Sequence, residues 1–312
     1  MDAHRRTTVA AGLALALALS GCGKGSRPHP SWEGTPAQLQ LGKLAEYRAC
    51  LEAHSARVFA IAALYRARYA STPPAPGSQV EINPPASIEE CITGLERAIA
   101  VTPAMPALDA AAREFGATLG RVARVTHAVH VAPAAGPSQH GELLAALAEF
   151  DTAQRTLFDE AFRANHELGR AQLTERAAKD GRTLPLLVDE VAYKAEGVVR
   201  FAILSAGQVS ELDVVSFAAA MLELEVAIDE MVTIASDGEH APGQVTGYHL
   251  IEQQARAFVT TCRELAARAR ARVAYTTDEQ VKLAAGNEAG VAGTPGAMTY
   301  AYNQLLGVTS VR

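Results

Sequence analysis

An all-α fold, an antiparallel bundle of long helices, is predicted for this 312-residue chain by three observations. Long stretches free of internal Pro carry apolar residues at spacings of three and four, the period of one helix face. No stretch alternates apolar and polar residues between turn signals, as a half-buried strand would. Hydrophobic residues make up 49% of the chain and aromatic ones only 5%, so the core must consist mainly of Ala, Leu and Val. No fixed repeat period appears, which favours a bundle over a solenoid.

The first element is an N-terminal targeting segment, residues 1–21. His4, Arg5 and Arg6 form a basic start, Val9 to Ala18 a short Ala/Leu run, and Leu19-Ser20-Gly21 leads into Cys22. The run is too short to span a bilayer, and its order of parts resembles a bacterial lipoprotein signal peptide. Cleavage before Cys22 is expected, with a diacylglyceryl group on its thiol and a further acyl chain such as palmitate on its amine. Each buried methylene contributes about 0.8 kcal/mol, so two or three chains form a lasting membrane anchor where one does not. Gly23 stands where Asp would signal retention at the inner membrane. The placement expected is therefore the periplasm-facing leaflet of the outer membrane rather than the inner membrane.

Residues 22–35 follow as the lipidated cysteine and a flexible tether without apolar periodicity. Residues 36–312 form the helical domain. From Pro36 to about Ala70, Leu41, Leu44, Tyr47, Cys50, Leu51, His54, Val58, Ile61, Leu64 and Tyr65 recur at threes and fours, defining one helix about 50 Å long. Ser71 to Pro85 is a Pro-rich connector. Ser87-Ile88-Glu89-Glu90 reads as a capping box and opens a short helix to about Val101, ended by Pro103 and Pro106. Further helices are expected near Leu108–Ala128, Gly141–Lys179, Pro185–Ala206, Ser210–Ala235 and Gly247–Tyr275, then Thr277–Ala285 and Ala297–Gly307. The breaks between them fall at Pro and Gly clusters, the last being a Gly-rich loop, Gly286 to Gly296.

Net charge is −6, and removal of Asp2, Arg5 and Arg6 makes the mature chain more acidic still. That balance lacks the basic footprint of a nucleic-acid binder. Beyond Cys22 three cysteines remain, an odd number in an oxidising compartment. The connector is long enough to fold back and bring Cys50 to Cys91 as a disulfide, leaving Cys262 as a buried thiol; three small buried hydrophobes are the alternative.

His127 and His130, three apart at a helix end, are the weak candidates for metal ligands, with no third ligand named by the sequence. Cations at a helix end suit the helix dipole equally well. His166 beside Glu167, and His240 near Asp237 and Glu239, are weaker still. Glu223, Glu225, Asp229 and Glu230, with Glu196 on the preceding helix, lack the Glu-x-x-His pairs of a carboxylate-bridged metal bundle and read as a solvated face. Arg256, Arg263 and Arg270 share a stripe that can meet that acidic helix or an anionic surface such as lipid headgroups or peptidoglycan. No Gly-rich phosphate loop, nucleophile elbow or zincin helix is present, and no cofactor is implied.

Leu44-Ala45-Glu46-Tyr47 running into Leu51-Glu52-Ala53-His54, then Tyr65-Arg66-Ala67-Arg68-Tyr69, His140-Gly141-Glu142-Leu143 and Tyr300-Ala301-Tyr302-Asn303-Gln304-Leu305 resemble the YiiG-like family of bacterial lipoproteins, a domain of unknown function. The chain departs from that pattern at His54 and at Val129-His130. The resemblance implies an extracytoplasmic helical fold and brings no catalytic residue. A non-enzymatic module that binds an envelope protein or polymer is the function expected. A metal-binding or hydrolytic envelope enzyme using His127 and His130 is the alternative.

Overall fold

The structure, a computed structural model, describes residues 32–69, 72–131, 137–204, 212–237 and 247–309. The fold is all-α: helices α1 (Pro36–Tyr69), α2 (Ile88–Ala100), α3 (Pro106–Val131), α4 (Pro137–Asp180), α5 (Leu184–Leu204), α6 (Val214–Ser236), α7 (Tyr248–Ala271), α8 (Thr277–Ala284) and α9 (Pro295–Thr309), with no strand among the described residues. Packing divides these into two compact units, one within residues 22–165 and one within 166–312, to each of which α4 contributes.

In the first unit the buried face of α1 comprises Lys43, Leu44, Tyr47, Cys50, Leu51, His54, Val58, Ala62 and Tyr65. Leu41 and Leu64, expected on that face, are exposed; Leu64 lies about 100° around the helix from the buried Tyr65. Cys50 is joined to Cys91 on α2 by a disulfide, with the Cα atoms 5.1 Å apart. Lys43 meets the carbonyl of Val101 just beyond α2. As α1 advances, α2 therefore returns, and the two are antiparallel. A Cβ at Gly94 would lie 2.1 Å from a carboxylate oxygen of Glu46, so the bare backbone there makes room for that side chain of α1. The Phe115 and Phe150 rings, 5.2 Å apart, join α3 to the first part of α4.

Ser87 does not cap α2. Its backbone is left-handed, with φ 59°, and its hydroxyl makes no capping bond, because capping geometry needs an extended backbone at that position. A complete capping box occurs instead at Thr276 and Glu279, opening α8.

The second unit buries one continuous apolar cluster, with Val191 and Val198 of α5, Phe217, Leu224 and Ile228 of α6, Phe258 and Cys262 of α7, and Met298 and Leu305 of α9 at its centre. Ion pairs report the register. Arg182, just before α5, and Lys194 of α5 pair with Glu230 and Glu223 of α6. Asp229 and Glu225 of α6 pair with Arg256 and Arg263 of α7. Rising numbers on one helix meet falling numbers on the next, so each neighbouring pair is antiparallel.

α7 ends at Ala271, earlier than its apolar period suggests, where Arg272 turns left-handed. The segment expected to be a Gly-rich loop is ordered into a 3-10 turn, Glu288–Gly290. The buried Thr294 hydroxyl donates to the carbonyls of Glu288 and Val291 and accepts from the Ala297 N–H, which starts α9. Gly293, at φ 70°, sits where a Cβ would lie 3.0 Å from the Glu264 carbonyl and 2.9 Å from Arg268 Nε. Arg268 in turn pairs with Glu279 and lies 4.7 Å from the centre of the Tyr275 ring, tying the turn after α7 to α8.

Candidate functional site

The most concentrated polar chemistry in the described residues is a buried cluster between α1 and the start of α3. Pro103 and Pro106 end the path of α2, and Pro106, at the first position of α3, needs no N–H partner. This places Asp109 in the first turn of α3. Its carboxylate accepts from the Met105 N–H at 2.9 Å, the favoured place for a negative charge on a helix. Lys43, wholly buried, sits 2.9 Å from both oxygens of that carboxylate. Its ammonium also donates to the carbonyls of Val101 at 3.1 Å and Pro103 at 3.4 Å. Tyr47, one turn further along α1, donates its hydroxyl to Asp109 at 2.7 Å.

Every polar atom of this cluster is used. The ammonium has three acceptors and the carboxylate three donors, so nothing remains for a substrate. Burial, and then the hydrogen bond to Asp109, push the Tyr47 phenol far above its ordinary value, which keeps it a donor rather than a base or nucleophile. The arrangement braces the α2–α3 connector against α1.

Two tyrosine–histidine pairs form a second polar feature, both with histidines on α4. Tyr65 of α1 and His140 Nδ1 lie 2.9 Å apart in the first unit, and Tyr193 of α5 and His166 Nδ1 lie 2.9 Å apart in the second. His166 stacks on Tyr193 with ring centres 4.1 Å apart. Cβ atoms at Gly169 and Gly197 would each lie 3.3 Å from this pair, so both glycines let the rings lie against the helix backbones. Burial first, then the charges of Arg200, Lys194 and Arg170, lower the His166 pKa below 6.5 and hold the imidazole neutral at pH 7.

Cys22, with residues 1–31, lies outside the described residues, as does His240. Cys50 and Cys91 are bonded, and Cys262 is a buried free thiol whose pKa is raised well above its ordinary value by burial, as suits an inert core residue. His127 and His130 are exposed on the last turns of α3. No group of three or more His, Cys, Asp or Glu side chains suited to a metal ion occurs among the described residues. Glu223, Glu225, Asp229 and Glu230 are drawn into ion pairs with Lys194, Arg263, Arg256 and Arg182, so the arginine stripe meets the acidic helix through Arg256 and Arg263.

Lys43 and Asp109 carried no motif in the sequence. The available signal was a charge in register with a buried face: Lys43 precedes Tyr47, Cys50 and His54 at helical spacing, and Asp109 precedes Ala112 and Gly116 in the same way.

No curated protein and no solved structure matches the chain. Residues 38–307, running from the first turn of α1 to near the end of α9, match a family described as protein of unknown function, DUF3829. With this match covering nearly all of the helical region, the chain belongs to the DUF3829 family.

Proposed function

We propose that the chain is a YiiG-like, lipid-anchored lipoprotein of the cell envelope, facing the periplasm from the outer membrane in preference to the inner. There it binds an envelope protein or polymer through a helix face rather than acting as an enzyme. The anchor half rests on Leu19-Ser20-Gly21-Cys22 and on chemistry expected at one atom, the Cys22 sulfur. No helix among the described residues is long and apolar enough to cross a membrane.

The observation that carries the binding half is the contrast between closed interior chemistry and open apolar surface. The Lys43, Tyr47 and Asp109 groups saturate one another, whereas Phe59, Leu64, Leu222 and Val226 stand exposed on helix surfaces. Cys22→Ser tests the anchor: acyl labelling should disappear and the precursor remain uncleaved, and labelling that survives overturns it. Metal analysis tests the class of function. Stoichiometric metal in the purified chain, lost in His130→Ala, would replace the binding reading with a metal-dependent activity at His127 and His130.

A further inference from the structure

The outward face of α6 is apolar where a solvated helix carries charge. Val215, Leu222 and Val226 are 81%, 63% and 60% exposed, and the exposed Ala219 completes the row. Spacings of four, three and four follow the 3.5-residue period of a coiled-coil seam, so these side chains stand in line along about 17 Å of helix. Glu223 and Glu225 border the ridge on its two sides, paired with Lys194 of α5 and Arg263 of α7, and Asp229 closes it. An apolar centre inside a charged rim is the anatomy of an interface.

The charges select the occupant. α6 contains no Lys or Arg. Two copies packed along this ridge would set Glu223 and Glu225 against the same residues of the other copy, like charges across a seam. An anionic lipid surface meets the same carboxylates. A helix with cationic flanks instead offers each glutamate a second positive partner on the side away from Lys194 and Arg263. Ala219, between Val215 and Leu222, leaves a hollow in the ridge where a larger side chain of the partner can seat.

We propose that the Val215–Val226 ridge docks an amphipathic helix of a second protein, one whose apolar stripe is flanked by Lys or Arg. The proposal rests on the reading of this chain as a binding module and names its surface.

Two synthetic amphipathic peptides test it, sharing one leucine seam and differing only in Lys or Glu at the flanking positions. Titrated against the full chain in detergent by fluorescence anisotropy, the Lys peptide should bind at least about tenfold more tightly than the Glu peptide. Leu222→Asp and Val226→Asp should each abolish its binding while leaving the helical circular dichroism unchanged, since both side chains are exposed. Equal binding of the two peptides, or binding that survives Leu222→Asp, overturns the proposal.

In cells, a photoreactive residue placed at Leu222 should crosslink to a basic-flanked amphipathic segment of another protein. Crosslinks from that position to a second copy or to lipid overturn the proposal. Crosslinks from a photoreactive residue at Tyr300 of α9 alone overturn the α6 surface while leaving the binding module standing. No crosslink from either position counts against both.

Discussion

Lys43 on α1 and Asp109 on α3 form an ion pair at 2.9 Å in which the lysine side chain has no exposed surface. The two residues are 66 positions apart, and the pair is completed by a phenol and three backbone groups. Taking two charges out of water is costly, and their attraction offsets that cost only when the remaining hydrogen bonds are made as well. Here they are made.

Lys43→Met should therefore be among the most destabilising substitutions in the first unit. It leaves a buried carboxylate without its cation, at a cost of about 3–5 kcal/mol. The double variant Lys43→Met with Asp109→Leu should be more stable than the sum of the two single changes, because both charges leave together and only neutral groups, the Tyr47 hydroxyl, the Met105 N–H and the Val101 and Pro103 carbonyls, lose a partner. Urea unfolding of the single and double variants measures this. A strictly additive result would show that the two residues act independently.

The Cys50–Cys91 bond closes a loop with a sequence separation of 41. Constraint of the unfolded chain by a loop of that size is worth about 3–4 kcal/mol. Cys50→Ala with Cys91→Ala should lower the unfolding midpoint of the first unit accordingly. Peptide mapping of unreduced protein should show these two cysteines joined and Cys262 free. A Cys262 peptide in the bridge would contradict the helix arrangement.

His54 gives the stability a pH dependence of known sign. The side chain is buried, and its Nδ1 has no hydrogen-bond partner. Burial first, then the Arg57 charge, hold its pKa below 6.5. As pH falls through 6.5 the unfolded chain takes up a proton that the folded chain does not. Stability is therefore full above that pH and declines as pH drops toward the folded value. His54→Leu should flatten this decline, and His166, shifted in the same direction, should account for part of what remains. Thermal midpoints of the two proteins measured across the acidic range check it, and identical slopes would contradict it.

Charge and packing should contribute very unequally to the second unit. Arg256 and Arg263 are about half or more exposed in their pairs with α6, so Arg256→Gln or Arg263→Gln should each cost no more than about 1 kcal/mol, falling further at high salt. Leu224, fully buried on the same helix, should cost about 2–5 kcal/mol on replacement by Ala. Denaturant curves at low and high ionic strength separate the two classes.

The helices were legible from the chain because apolar periodicity and Pro or Gly breaks act over a few residues, and α1, α4, α6 and α7 lie close to the spans their periods indicate. The terminal details were less so. Ser87 has a capping residue's chemistry and a backbone that cannot use it, while Thr276 and Glu279 satisfy both requirements. Of the buried polar side chains, Tyr47 and His54 fall on the apolar face of α1 that the sequence defines. His127 and His130 are exposed on α3, whereas Lys43 and Asp109, with no motif of their own, form the saturated cluster.

By itself the sequence determined which segments are helical, because helix hydrogen bonds and amphipathic faces are local properties. It also limited the long-range options for its cysteines through the length of the connector between α1 and α2. Only the tertiary structure decided which charges are buried together, which acidic residues of α6 meet arginines of α7, and that the remaining face of α6 is an apolar ridge. A side chain's environment depends on the helices packed beside it, and a periodicity shared by an inward and an outward apolar stripe does not say which of them meets water.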